Sequence, residues 1–308
     1  MHGLRLDVAA ARLFDRHSRA RLQFWIHQGN VRVNSRITAT PRHTVRGGDE
    51  LRLKAPVERA SVIAPQKIKL DIVHEDADLI VVNKPAGLLV HPGAGRPDGT
   101  LQNALAHRWP QTAQLTRNGI VHRLDMDTSG LMVVALSERA HLRLVEAMAG
   151  HHVQREYDAL VVGAVPSGGT VRAAIGRHPR DRVKMSVQAR GRPAVTHYRV
   201  LERYPQHTQL RVRLETGRTH QIRVHLAYIR HPVFGDPVYG GRVLRGTGMP
   251  EDLRRMLATF PRQALHAREL GFAHPVTGAR MTFTREPPAD FQELVGALRK
   301  HRDDPSQA

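Results

Sequence analysis

Cysteine is absent from the 308 residues, which excludes disulfides, thiolate zinc sites and cysteine nucleophiles. No apolar run approaches the roughly 18–20 residues needed to span a bilayer. Residues 1–30 carry several Arg and two Asp and no apolar signal-peptide core, so a soluble, cytoplasmic protein is expected. Lysine is scarce, occurring only as Lys54, Lys67, Lys69, Lys84, Lys184 and Lys300. Acids are few as well: 28 Asp and Glu face 47 Lys and Arg, a net charge of +19 carried almost wholly by arginine and spread along the chain. Internal repeats and low-complexity tracts are also missing. What remains is a chain long enough for one large and one small domain, with 41% hydrophobic residues to build a core. A distributed cationic surface favours a polyanionic partner, because neutralising phosphates releases counterions and arginine forks onto them. No long basic amphipathic helix points to a membrane, so nucleic acid is the expected partner.

Residues 1–56 form the expected small domain. Leu6, Ala9, Ala10, Leu13 and Phe14 recur at helical spacing, Ser18 is placed to cap a second helix, and Leu22, Trp25 and Ile26 give that helix its apolar face. Val31 to Asn34 alternates as a strand, and Gly47-Gly48-Asp49 turns into another. Over residues 1–60 twelve basic side chains stand against five acids. The pattern Arg5-Leu6-Asp7, Ser18-Arg19, Ile26 to Asn34 and Gly48-Asp49-Glu50-Leu51 resembles the S4 RNA-binding domain, with Asn34-Ser35 where that family usually has Asn-Gly. The resemblance implies that Arg19, Arg21 and Arg32 contact RNA. Residues 57–66, with little periodicity and a proline, read as a linker. A catalytic domain is expected over 67–297 and a polar tail over 298–308. Within the catalytic domain, residues 177–192 hold six basic residues, Arg182 and Lys184 included, and suit a mobile loop or hairpin that clamps a phosphate backbone.

Several chemistries are excluded by missing patterns. His220 and His225 are five apart and no His-Glu-x-x-His occurs, so no metal is expected despite 20 histidines. Asp127-Thr128-Ser129-Gly130 resembles an aspartic-protease turn, but that mechanism needs a second such carboxylate, which the chain does not contain. Gly-x-Ser-x-Gly is missing too. Gly93 and Gly95 are not followed by the third glycine of a dinucleotide site.

One stretch stands out, Gly119 to Gly130, in which Asp125 lies between an arginine and a Thr-Ser-Gly turn just before the apolar run Leu131 to Leu136. Asp125 is either a turn former or a reactive carboxylate held by basic neighbours. Chemistry on RNA that needs one carboxylate and neither metal, thiol nor cofactor includes isomerisation at a glycosidic bond. His122-Arg123-Leu124-Asp125-x-x-Thr128-Ser129-Gly130 resembles the signature of the RluA-type pseudouridine synthases. The likeness continues through Asn83-Lys84-Pro85, Tyr157 with Ala159 and Val161, Gly217 to His225, Gly235-Asp236-Pro237-x-Tyr239-Gly240 and Gln263 to Ala267.

The resemblance implies an α+β fold: a mixed, mainly antiparallel sheet with flanking helices and a central cleft. It implies a monomeric enzyme without cofactor that isomerises uridines of large-subunit ribosomal RNA. Asp125 would be the catalytic carboxylate, attacking C1′ or taking the C2′ proton, and Arg218 would pair with it. Tyr157 would stack on the uracil, Arg123 would help extrude the base, and His122 would orient the loop. Asp236 and Tyr239 are expected as scaffold and Asp127 as a turn residue. A non-catalytic RNA-binding or ribosome-assembly factor on the same fold is the alternative.

Overall fold

A computed structural model describes residues 3–14, 19–54, 63–93, 95–181, 183–240 and 249–302, without the side chains of Ala20 and Arg21. The expected cap Ser18, the side chain of Arg21, Arg182, residues 57–62 of the linker and residues 303–308 of the tail therefore lie outside the described residues. The chain divides into two compact units, Met1–Val62 and Ile63–Ala308.

In the first unit, β1 (Leu4–Arg5) leads into α1 (Leu6–Leu13), and α2 (Arg19–His27) follows. A three-stranded antiparallel sheet combines β2 (Val31–Val33), β3 (Arg36–Ile37) and β5 (Leu51–Leu53), while β4 (Thr44–Val45) pairs with β1. Leu6, Ala9, Ile26, Val31, Val33 and Val45 form one core cluster, and Ala10, Leu22 and Trp25 a second. Asp7, wholly buried, ties the helices together by accepting from Arg5, Arg19 and Gln23. Those partners outweigh its burial and hold its carboxyl down at about 2. The β2–β3 hairpin turns on Asn34 and Ser35, both with positive φ, at 49° and 70°. That is the backbone for which Asn-Gly is favoured, because only glycine escapes the steric cost of left-handed geometry.

The second unit is built on a nine-stranded mixed sheet. Its strands are β6 (Asp71–Glu75), β7 (Leu79–Lys84), β8 (Ser129–Ala135), β9 (Gln154–Val162), β10 (Gly169–Arg172), β13 (Val195–Arg203), β14 (His207–Leu214), β15 (Leu265–Ala273) and β16 (Arg280–Thr284). The small pair β11 (Ile175–Arg177) and β12 (Met185–Val187) stands apart as the hairpin expected within the basic segment. The main order is β10-β13-β14-β9-β15-β8-β7-β6, with β16 on β15. Every pairing is antiparallel except β8 with β15. This is the α+β architecture expected from the sequence.

Alternation sorts the side chains between the two faces of the sheet. Ile80, Val82, Met132, Val134, Tyr157, Ala159 and Val161 join one cluster, which includes Leu101 and Leu105 of α3 (Leu101–Arg108) and Ile222 and Leu226 of α5 (Gln221–Tyr228). Leu79, Val81, Leu131, Val133 and Ala135 face the other way, onto Ala140 and Leu144 of α4 (Glu138–Ala149). A third cluster packs α6 (Glu251–Thr259) and α7 (Ala289–Arg302) around Leu160 and Phe234. Local caps fix where helices begin: Thr100 and Asn103 form a reciprocal capping box, and Ser137 accepts from Ala140 N–H. Residues 298–302, placed in the expected polar tail, belong to α7. Leu298 is buried and α7 runs through Arg302, with Arg299 and Arg302 bound to Glu202.

Candidate active site

Asp125 lies where the chain leaves a 3-10 turn and enters β8, and each part of that approach is pinned. Gly119, with φ 79°, passes so close to β8 that a Cβ would stand 1.9 Å from Ala135 O. Gly130, with φ 118°, crosses β15 where a Cβ would meet Ala267 O at 2.2 Å. No other residue fits either position. Between them, Thr128 N–H donates to Asp125 O and closes the tight turn that holds Asp127, as the sequence suggested for that residue. Gln263 reaches Thr128 Oγ1, and Ser129 Oγ lies 2.9 Å from His266 Nδ1. Lys84, almost wholly buried, donates to Pro85 O, Leu88 O and Met126 O, so its three ammonium protons tie β7 and the loop after it to the Asp125 loop. Burial pushes this lysine down to about 7, against the pull of Asp127 and Asp125.

The Asp125 carboxylate opens onto a cavity of about 530 Å³ lined by Tyr157, Arg155, His122, His220 and Arg223 among others. Arg223 Nη1 donates to Asp125 Oδ2 at 2.9 Å. The same guanidinium grips Asp236 with two further bonds, Nε to Oδ2 at 2.6 Å and Nη2 to Oδ1 at 2.8 Å. Asp236 Oδ1 also accepts from Val238 and Tyr239 N–H, and the Tyr239 ring lies 5.1 Å from the Arg223 guanidinium carbon. Despite burial, these two carboxylates hold Arg223 above its ordinary pKa, so it is a permanent cation.

This overturns the expectation that Arg218 pairs with Asp125. Arg218 precedes α5, and its Nε turns outward to Pro193 O at 3.1 Å. Arg223 is the third residue of the helix, and α5 is locked in phase by Gln221. That side chain accepts from Thr216 Oγ1 and Arg218 N–H and donates to Val195 O and Thr196 Oγ1. His225 adds contacts to Thr196 and Ala173. Asp236, expected as scaffold, holds the arginine that holds the catalytic candidate.

Tyr157 comes from the middle of β9 and is buried at the cavity wall, where burial raises its hydroxyl pKa. His122 accepts a hydrogen bond at Nε2 from Val133 N–H. Burial, followed by the charge of Arg155, pushes it down to about 3, so the ring is uncharged at neutral pH and its accepting nitrogen ties the loop to β8. His220, left-handed at the start of α5, sits 3.9 Å from Asp125 Oδ1 and bonds Tyr239 at Nδ1. Burial lowers it against the opposing charge of Asp125. Arg117, Arg123 and Arg192 are exposed, and with half-buried Arg218 they line the same cavity.

The remaining RNA-contact candidates are dispersed. Lys184 lies 3.7 Å from Asp181 on the hairpin. Arg32 is exposed on β2 and Arg19, half exposed, has its guanidinium committed to Asp7. Among the described residues, Asp76, Asp78 and His274 bring metal-capable atoms within 4.8 Å of one another. Asp76 is already satisfied by Asp78 and Leu79 N–H, His74 and His274, and closes the β6–β7 turn. No helix among the described residues is long and apolar enough to cross a membrane.

A family model described as RNA pseudouridylate synthase matches residues 78–228. The chain is 50% identical over 302 residues to the ribosomal large subunit pseudouridine synthase D of Vibrio parahaemolyticus, covering 98% of this chain and 93% of that one. It is 51% identical over 298 residues to the protein of the same name from Xanthomonas campestris pv. campestris, covering 97% and 90%. Among solved structures, human RNA pseudouridylate synthase domain containing 4 superposes with a TM-score of 0.56 at 28% identity, over 74% of this chain and 93% of that one.

Proposed function

The chain belongs to the RNA pseudouridylate synthase family, and from that premise we propose that it isomerises uridine to pseudouridine in large-subunit ribosomal RNA. The observation that carries the reading is the ion chain Asp236–Arg223–Asp125, which presents one carboxylate oxygen pair to a cavity walled by Tyr157. Asp125 attacks C1′ of the target uridine or removes its C2′ proton; either route breaks the bond to N1, and re-attachment through C5 completes an isomerisation that needs no oxidant or reductant. Arg223 keeps the carboxylate ionised and aimed. Tyr157 stacks on the uracil, a contact worth about 1–3 kcal/mol. Arg123, exposed beside the site, assists extrusion of the base from RNA structure.

The unit Met1–Val62 we read as an RNA-binding module of S4 type, with Arg32 exposed on its sheet; the basic hairpin of β11 and β12 adds contacts to the phosphate backbone. We take the enzyme to act as a monomer. The test is tritium release from large-subunit rRNA labelled at uridine C5. The parent chain is expected to release tritium, and Asp125→Asn to lower the rate at least about 1000-fold while RNA affinity persists. Full turnover by that variant would refute the site, and an inert parent chain would refute the activity.

A further inference from the structure

Arg155 is 8% exposed, and its charge is left unanswered. Among the described residues no carboxylate forms an ion pair with it. Its Nη2 reaches Glu215 O only at 3.4 Å, and its Nε is buried with no hydrogen-bond acceptor. The contrast with Arg223, which binds three carboxylate oxygens in the same cavity, is sharp. The surroundings also make room for the guanidinium, since a Cβ on Gly217 would stand 2.7 Å from Arg155 Nη1. Burying a cation without a partner costs stability, and a site that tolerates this is short of an acceptor that a ligand can bring.

Position says which part of the ligand that is. Arg155 and Tyr157 are two residues apart on β9, so their side chains share a face of the sheet roughly 7 Å apart along the strand. Tyr157 is the stacking platform in the proposed reading. The phosphates have other partners: Arg117, Arg123 and Arg192 are exposed around the cavity, whereas Arg155 is buried in its wall. The nearby titrating groups sense its charge. Burial and then Arg155 lower His122, while on Tyr157 burial raises the pKa and Arg155 opposes it.

We propose that Arg155 is a catalytic residue that holds the detached uracil as an anion. When the C1′–N1 bond breaks, its electron pair stays with the base, and the negative charge spreads over N1 and the two carbonyl oxygens. Arg155 donates to those oxygens while the ring turns to bring C5 against C1′. The C5–C1′ bond then forms, the C5 proton leaves and N1 takes up a proton, so product and substrate are isomers. A guanidinium fixed in a buried wall suits this task because it is already desolvated and oriented when the charge appears.

The inference rests on the proposed function, and the experiment separates the two. The full-length parent chain, R155M and R155K are compared in single-turnover tritium release from a large-subunit rRNA transcript labelled at uridine C5, with transcript affinity and melting temperature measured alongside. R155M is expected to slow release about 100- to 1000-fold, as loss of an oxyanion donor does, and R155K to recover about tenfold of that. Transcript affinity should stay within about threefold, and the melting temperature of R155M should equal or exceed that of the parent chain, since a buried unpaired charge has gone. Release by R155M within about threefold of the parent chain overturns the inference and leaves the activity standing. So does an equal loss in both variants that follows a lower melting temperature or weaker RNA binding, which would make Arg155 scaffold. A parent chain that releases no tritium refutes the activity itself, and the inference with it.

Discussion

The catalytic candidate depends on a neighbour that sequence reasoning passed over. Arg218 and Arg223 both lie in the stretch Gly217 to His225, and the choice between them is a matter of helix phase. Gln221 to Leu226 are all buried, so α5 offers no polar face from which its phase can be read. A usable signal was present: Arg223 stands between Ile222 and Val224, and an arginine sunk among apolar residues needs an acid, which Asp236 in the turn-rich segment supplies. Asp125 and Tyr157 were legible because short motifs named them, and both line the cavity. The two arginines should separate in kinetics. Arg223→Lys, which cannot span two carboxylates, should lower the tritium-release kcat about 100-fold, while Arg218→Lys should change it less than about tenfold. The reverse order would return Asp125 to Arg218.

At the scale of elements, the helices and strands of the first unit were visible as helical spacing and alternation, and the apolar run Leu131 to Leu136 as the strand β8. Hidden from the sequence were pairings between distant segments, above all the parallel contact of Ser129 and Gly130 with His266 and Ala267, because nothing local encodes a partner 137 residues away. The bond from Lys84 to the carbonyl of Met126 was hidden for the same reason. The β2–β3 turn shows the opposite case, a local rule kept by an unfavoured residue. Ser35 adopts φ 70°, so Ser35→Gly should stabilise that hairpin by about 0.5–1 kcal/mol, the left-handed penalty less the added entropy of glycine. Hydrogen exchange of the β2 and β3 amides should slow about two- to fivefold. Unchanged or faster exchange would show that Ser35 is not strained.

For the whole molecule, histidine makes the larger unit acid-sensitive. Burial pushes His207 down to about 4, and burial with Arg155 pushes His122 down to about 3, from an ordinary 6.5. Between those limits the unfolded chain takes up protons that the folded chain refuses, so stability is full above 6.5 and is lost as the pH falls toward the folded values. The slope is up to about 1.4 kcal/mol per pH unit for each histidine. Melting temperatures of the full chain should therefore fall steadily from pH 7 to about pH 4.5. A flat or rising profile would mean that these rings are charged in the folded protein.

The place of β15 in the strand order has a consequence for how the protein comes into being. Without Leu265–Ala273 the strand order separates into β10-β13-β14-β9 and β8-β7-β6, with no other strand among the described residues joining the two halves. Tyr157 belongs to the first half and the Asp125 loop to the second. A chain is synthesised from its amino terminus, so the two sides of the cavity are made long before the strand that brings them together. A nascent chain that ends before Leu265 therefore lacks the strand on which both sides of the cavity pair, and the site is complete only with β15 between β9 and β8.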